Sequence, residues 1–381
     1  MADVYAFTMN VESVTATAMN MLQDRRRHAA CWLPDNRVLI TGGVGSGAAS
    51  TTAEVFDPIA GTFSMVASMP RARADHTCTL LPDGRVLVAG GRDPGALNTP
   101  LIADIYDPKT NTWTSTGTTI DRYQHTASVL VNGICLLIGG RQVSTDQVVA
   151  TGDVFRTFTD VLSGAPSSGF TATTVSLATA RTEHATATLG STQLLVTGGF
   201  DGTTPGSTLG SAEVFIPEPF TNATVGVFSP IMTMGTPRAR HTSTTVASGS
   251  NILFGGVTGT AGTETALDTI EAFQFNNSVP TVTGVTVSGP ASASVPISFT
   301  LVDNEGDRSF VFIRFSTDGG TTFNLATLTD PRSTVNLLPG SRVLNWNAAA
   351  DGVTGGTSVI VEVIPVGGIF GSPVRSVATS L

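Results

Sequence analysis

All five histidines of this 381-residue chain stand in one kind of position. His28, His76, His125, His184 and His241 each follow an arginine by three residues (Arg25, Arg73, Arg122, Arg181, Arg238). Each also precedes a Gly-Gly pair by fourteen, the pairs beginning at Gly42, Gly90, Gly139, Gly198 and Gly255. Imidazole is a metal ligand and guanidinium binds anions, so the first chemistry to weigh is a metal or anion ring. Zinc needs its donors within about 2 Å of one point, and one histidine per repeat disperses them too far. The spacing reads instead as architecture: Arg and His tie neighbouring repeats, through the acids Glu54, Asp104, Asp153, Glu213 and Glu271 that recur further on. Because they recur by repeat, those acids are not candidates for a paired-carboxylate site.

Two other places carry candidate chemistry. Asp303, Glu305 and Asp307 alternate around Gly306. Calcium takes 6–8 oxygens, and such a turn supplies three or four, so calcium is the cofactor these residues would bind. The second place is the set of segments after each Gly-Gly: Val44–Thr52, Arg92–Ile102, Arg141–Thr151, Phe200–Gly210 and Val257–Thr269. They differ from repeat to repeat, and binding residues concentrate on variable loops over a fixed scaffold. Arg92, Asp93, Arg141, Asp146, Asp201 and Thr203 are the binding candidates, and their hydroxyls and few charges suit a protein or glycan surface better than phosphate. No Ser-His-Asp set, P-loop or carboxylate cleft stands out, so no catalytic residue is assigned and the chain is expected not to be an enzyme.

The elements that must position these residues follow from the same repeat. His76–Gly91 reads as a short strand, a Leu-Pro-Asp-Gly turn and a second strand ending in Gly-Gly. We call these strands A and B. An acidic-x-aromatic triplet then opens strand C, often closed by Asp-Pro, and a strand D follows in four repeats. A period of 48–59 residues marks the blades of a propeller. The histidines and the segments between B and C then lie at the same end of the blades. The fifth unit lacks a strand D. Residues 4–22, with Met21 in the register of Met69 and Met234, look like that missing strand. The expectation is an all-β, five-bladed propeller over residues 1–278, closed by Val11–Thr17 pairing with Ile270–Phe275. Residues 279–381 show about seven short alternating runs, which suit an immunoglobulin-like or fibronectin type III-like β-sandwich.

Composition narrows the partners. Net charge is −9 and Lys109 is the only lysine. With no basic stripe, nucleic acid and anionic membrane are poor partners. No apolar run approaches the roughly 18 residues of a bilayer span, so no membrane insertion is expected. Met1–Val14 shows no charged-then-apolar leader. Three cysteines, Cys31, Cys78 and Cys135, fall in strands of three different repeats and read as small buried residues rather than a disulfide framework.

Arg-x-x-His, the Gly-Gly ending strand B, the acidic-x-aromatic-Asp-Pro of strand C and the aromatic opening strand D together resemble kelch repeats. Leu81–Gly91, LPDGRVLVAGG, is similar to the kelch units of bacterial and galactose oxidase-like proteins. The resemblance covers roughly residues 1–275 and implies a propeller, though kelch propellers commonly have six or seven blades. The C-terminal part resembles the fibronectin-like domains that follow propellers in secreted bacterial proteins. Ser316–Phe323 looks like a single Asp-box turn. A galactose oxidase-like carbohydrate oxidase would need copper held by two tyrosines, two histidines and a cysteine joined to one tyrosine. Only Tyr5, Tyr106 and Tyr123 exist, and every histidine is in repeat register. The resemblance therefore leads to the expectation of an extracellular or cell-surface binding protein for a protein or glycan ligand. The rival is a structural subunit that self-associates in a surface assembly, which the largely uncharged surface would favour.

Overall fold

The computed structural model describes all residues except 1, 8–13, 47, 97–98, 131–132, 157–168, 172–174, 190–192, 218–225, 247–249, 274–278, 305–308, 336 and 367–370. The chain divides into two compact units. One comprises Met1–Leu80, Arg85–Tyr123 and Val143–Thr145; the other comprises Leu81–Gly84, Gln124–Gln142 and Asp146–Leu381.

Each repeat forms its own antiparallel sheet in the expected order. Strands A to D are Ala29–Trp32, Val38–Thr41, Ala53–Asp57 and Thr62–Val66 in the first repeat, and Thr77–Leu80, Val86–Ala89, Leu101–Asp107 and Thr112–Ile120 in the second. They are Thr126–Val129, Ile134–Ile138, Gly152–Arg156 and Gly169–Thr171 in the third, and Ala185–Leu189, Gln193–Thr197, Ser211–Pro217 and Gly226–Thr233 in the fourth. The fifth has Thr242–Thr245, Asn251–Phe254 and Ile270–Phe273. Strand B of the second and third repeats is apolar throughout because it is covered on both faces: Val86–Ala89 and Ile134–Ile138 are buried at every position. The aromatic of strand C packs on the aromatic of strand D in each four-stranded repeat. The pairs are Phe56 on Phe63 (4.8 Å), Tyr106 on Trp113 (4.9 Å), Phe155 on Phe170 (5.1 Å) and Phe215 on Phe228 (5.0 Å). This explains the spacing of the two aromatics: they are cross-strand neighbours, the contact that stabilises a sheet pair.

The N-terminal segment departs from expectation. Val14–Met19 pairs antiparallel with Ala2–Phe7, in the register Ala2↔Met19 to Phe7↔Val14, instead of with strand C of the fifth repeat. Ile270–Phe273 pairs with Asn251–Phe254. Residues 11–13 and 274–275 of the expected pairing lie outside the described residues. A hairpin closed over a few residues loses far less chain entropy than a pairing across some 250, and that favours the local partner.

Toward the C-terminus, Thr281–Val287, Val295–Val302 and Gly340–Trp346 form one antiparallel sheet. Asn324–Leu325, Phe310–Ser316, Ser358–Val366 and Val374–Arg375 form a second, with Thr379–Ser380 also on Ser358–Val366. Val295, Ile297, Phe299 and Trp346 from the first share one apolar core with Val311, Ile313, Phe315 and Val361 from the second. The strict alternation along Val295–Val302 is what one covered face and one open face require. One charged pair is buried in the second sheet, Arg314 with its cross-strand partner Glu362, which also accepts from Arg375 Nε at 2.9 Å. The Ser316–Phe323 turn is built around Asp318, whose carboxylate accepts from Ser316 Oγ (2.7 Å), Thr322 Oγ1 (2.6 Å) and the Thr321 amide (3.0 Å). Those bonds hold its pKa well below the usual carboxylate range. No helix among the described residues is long and apolar enough to cross a membrane.

Candidate functional site

The repeated residues must be placed before a binding surface can be separated from them. Arg181 is fully buried. It donates to the Gly198 carbonyl (2.9 Å), the Ser211 carbonyl (3.1 Å) and Glu213 Oε1 (2.6 Å). Arg25 makes the same set to Gly42, Thr52 and Glu54, Arg73 to Gly90, Ile102 and Asp104, and Arg238 to Gly255, Thr269 and Glu271. Each acid belongs to the arginine's own repeat, so this ion pair ties the entry of a repeat to its strand C. That corrects the expectation that arginine bridges to the neighbour. Burial pushes Arg73 down to about 10, which leaves it cationic at neutral pH.

The link between neighbours is made by histidine and glycine. Thr41 of the first repeat meets His76 Nε2 of the second at 2.8 Å, Thr126 meets His184 Nε2 at 2.9 Å, and Thr197 meets His241 Nε2 at 2.8 Å. The hydroxyl comes from one of two cross-strand positions, the residue after His or the residue before Gly-Gly. Across the five repeats these positions read Ala29/Thr41, Thr77/Ala89, Thr126/Ile138, Ala185/Thr197 and Thr242/Phe254, with one threonine in each pair. The second glycine donates its amide to the arginine carbonyl of the next repeat: Gly43 to Arg73 (2.9 Å), Gly91 to Arg122 (2.8 Å), Gly140 to Arg181 (2.8 Å) and Gly199 to Arg238 (2.8 Å). The first glycine has φ near +60°, and at Gly42, Gly139 and Gly198 the next repeat leaves no room for a side chain. A Cβ on Gly139 would lie 2.7 Å from both Arg181 O and His184 Cε1. His76 and His241 are buried beside an arginine, and burial first, then that charge, holds both imidazoles low, His241 at about 4.

With those residues accounted for, a recurrent feature remains that sequence reasoning missed. The residue before each histidine is left-handed and not glycine: Arg27 (φ 58°), Asp75 (55°), Gln124 (52°), Glu183 (54°) and Arg240 (55°). Such backbone is strained by roughly 1–2 kcal/mol in a residue with a Cβ. It is held by main-chain bonds from one repeat to the next, Asp75 N to Arg27 O (3.0 Å), Glu183 N to Gln124 O (3.2 Å) and Arg240 N to Glu183 O (2.9 Å). Side chains follow the same path. Arg27 Nε pairs with Asp75 (2.6 Å), Gln124 Nε2 donates to Glu183 (2.6 Å), and Arg240 pairs with Glu183 and, at 3.3 Å, with Glu264. The signal in the sequence was a column that is polar in every repeat and never β-branched.

The segments after Gly-Gly begin beside this polar row, through bridges such as Ala74↔Arg92, Thr182↔Phe200 and Ala239↔Val257. In the first unit, the Arg92 guanidinium lies 4.2 Å from the centre of the Tyr123 ring and 3.1 Å from Asp75. Asp93 instead caps its own turn by accepting from the Gly95 amide (2.9 Å). In the second unit, Arg141 donates to the Asp146 carbonyl (2.8 Å) and lies 3.7 Å from its carboxylate. Asp201 Oδ1 accepts from the Thr203 amide (3.0 Å), the Thr203 hydroxyl (2.5 Å) and the Ser207 amide (2.9 Å). Burial alone would raise the Asp201 carboxyl, but these bonds hold it below the usual range. The segments of the fourth and fifth repeats are joined by main chain, Thr208 N to Gly259 O (2.9 Å) and Ala261 N to Gly206 O (2.8 Å). Above them Arg240 lies 5.3 Å from the Phe200 ring centre. The result is a shelf of Phe200, Asp201, Thr203, Arg240, Glu183 and Glu264. It can offer donors, acceptors and a half-exposed cation seated on the buried Phe200 ring, the polar mixture seen at the rim of recognition surfaces.

Tyr106 donates to Asn111 Oδ1 (3.1 Å) and stacks on Trp113, which places it among the residues that build strands C and D. Asp303 is buried, and Glu305 and Asp307 lie outside the described residues. Among the described residues, no three His, Cys, Asp or Glu side chains converge on a point suited to a metal ion. No curated protein matches the chain. The kelch motif matches residues 25–70, the stretch that holds Arg25, His28, Gly42-Gly43 and Glu54, and kelch repeats generally mediate protein–protein interaction.

Proposed function

We propose that this chain is a non-enzymatic binding protein, built as a five-repeat kelch-type propeller followed by an immunoglobulin/fibronectin type III-like sandwich. Its ligand, a protein or a glycan, docks on the loop shelf beside the left-handed row. The observation that carries this reading is the division of labour among the repeat residues. Arginine and acid fold each repeat onto itself, and histidine and double glycine join a repeat to the one that follows it. The row before the histidines, by contrast, presents Arg240 with its side chain 51 % exposed over Phe200 of a variable segment, between Glu183 and Glu264. The likeness of the C-terminal part to domains of secreted proteins supports an extracellular or cell-surface setting, which secretion of the native protein would test. Immobilised full-length protein probed with a glycan array and with surface-protein extracts tests the binding reading. We expect a ligand whose capture drops at least tenfold in Arg240→Glu and Asp201→Ala, both measured well below the variants' thermal midpoints. Turnover of a sugar substrate, or capture indifferent to both substitutions, overturns it.

A second reading, a self-associating subunit of a surface assembly, is favoured by one specific feature. Phe254 (45 % exposed) and Ile270 (64 % exposed) are direct cross-strand partners on one face of the fifth repeat. An exposed aromatic–aliphatic pair on a sheet invites a covering surface. Light scattering of the wild type and of Phe254→Ser decides it: loss of association in the variant supports this reading, and a strict monomer in both contradicts it.

A further inference from the structure

We propose that Cys31 and Cys78 form a disulfide that staples strand A of the first repeat to strand A of the second. Cys31 is the third residue after His28, whereas Cys78 is the second after His76. Side chains on a strand alternate faces, so an offset of one residue between equivalent strands turns the two thiols toward opposite sides of their sheets. On adjacent sheets, opposite sides are the ones that face each other. The two sulfurs lie 2.8 Å apart, closer than the non-bonded contact of two sulfur atoms.

The juxtaposition belongs to the repeat and not to sulfur. The same two columns in the third and fourth repeats hold Ser128 and Thr186, whose hydroxyls meet at 3.2 Å. The thiols are half-buried and pack against a cluster containing Leu33, Leu39 and Val88, which fixes their positions from both sheets. Cys135 is in a different place. It is fully buried on strand B of the third repeat, opposite Val129 and Phe155. The third cysteine that makes the count odd is therefore the one left over, and placement in separate repeats brings the other two together.

The chemistry needs an oxidant, a small-molecule disulfide such as oxidised glutathione. One thiolate attacks it, forming a mixed disulfide and releasing one glutathione thiol. The second cysteine then attacks the protein-bound sulfur, forming Cys31–Cys78 and releasing the second. Two cysteine protons end on the two released thiols, and one disulfide is exchanged for another. The bond closes the whole first repeat into a loop and limits its freedom in the unfolded chain, so it acts on stability.

The test equilibrates the full chain, natively folded, with oxidised or with reduced glutathione, followed by unfolding, maleimide labelling and peptide mapping. After oxidation we expect a single labelled cysteine, Cys135, and a linked pair of peptides carrying Cys31 and Cys78. After reduction we expect three labelled cysteines and a thermal midpoint lower by several degrees. The redox shift in midpoint should persist in Cys135→Ser and vanish in Cys78→Ser. Three labelled cysteines after oxidation, a link to Cys135, or a link only between two molecules would overturn the proposal.

Discussion

The fourth and fifth repeats carry the same motif in different surroundings. Inside each, the arginine makes the same bonds, Arg181 to Gly198 and Glu213, and Arg238 to Gly255 and Glu271. The fourth repeat is followed in the chain by another, and its residues are covered accordingly. The Glu213 side chain is 2 % exposed, Thr197 holds His241, and a Cβ on Gly198 would collide with the Arg238 carbonyl. In the fifth, the Glu271 side chain is 22 % exposed, Phe254 stands in place of Thr197 and faces solvent, and a Cβ on Gly255 would meet only Leu267 O at 3.3 Å. The motif thus encodes two separable devices: an ion pair that folds a repeat onto itself, and a glycine–histidine joint that works only when a following repeat enters it.

The largest test of that separation is the ion pair. Glu213→Ala leaves Arg181 buried without its counter-charge and should cost about 3–5 kcal/mol in urea unfolding. Glu271→Ala should cost clearly less, because water reaches that pair. Equal losses would show that exposure does not distinguish the two repeats. Next come the glycines. Gly198→Ala must displace the backbone of the following repeat, and we expect about 3 kcal/mol from clash and left-handed strain together. Gly255→Ala carries the left-handed strain alone, roughly 1–2 kcal/mol, with the midpoint shift read by calorimetry.

The joint should also impose a pH dependence. Burial and Arg238 depress His241 from 6.5 to about 4. The unfolded chain binds a proton as pH falls through 6.5, and the folded chain does so only near 4. The stability contributed by this group is therefore complete above pH 6.5 and is lost as pH falls toward 4, by up to about 3 kcal/mol. His241→Gln should flatten that part of the stability–pH curve, whereas substitution of the exposed His28 should leave most of it. The smallest effect is the most specific. Thr197→Val removes one hydrogen bond to His241 and should cost about 1 kcal/mol. Adding Ala185→Thr moves the hydroxyl to the cross-strand position that Thr126 occupies in the third repeat, and should recover part of the loss. Thr242→Val, at an exposed site, should change stability by less than about 0.5 kcal/mol.

Much of this was legible in the chain. Five copies of Arg-x-x-His, Gly-Gly and acidic-x-aromatic, in one register, determined the strands, their order and the polar end of each sheet, because local spacing alone fixes which residues are cross-strand neighbours. The alternation of Val295–Val302 likewise announced a strand with one covered face. Other features needed the tertiary structure. Which acid each arginine chooses, where the left-handed row runs, how a threonine on either of two strands satisfies the same histidine, and how Cys31 reaches Cys78 all depend on contacts between residues roughly 30 to 60 positions apart. The N-terminal segment shows the limit most plainly. Its strand character could be read from Met21 in the register of Met69 and Met234, but its partner could not: every strand offers the same backbone donors and acceptors, and three-dimensional competition among edges gave Val14–Met19 to Ala2–Phe7.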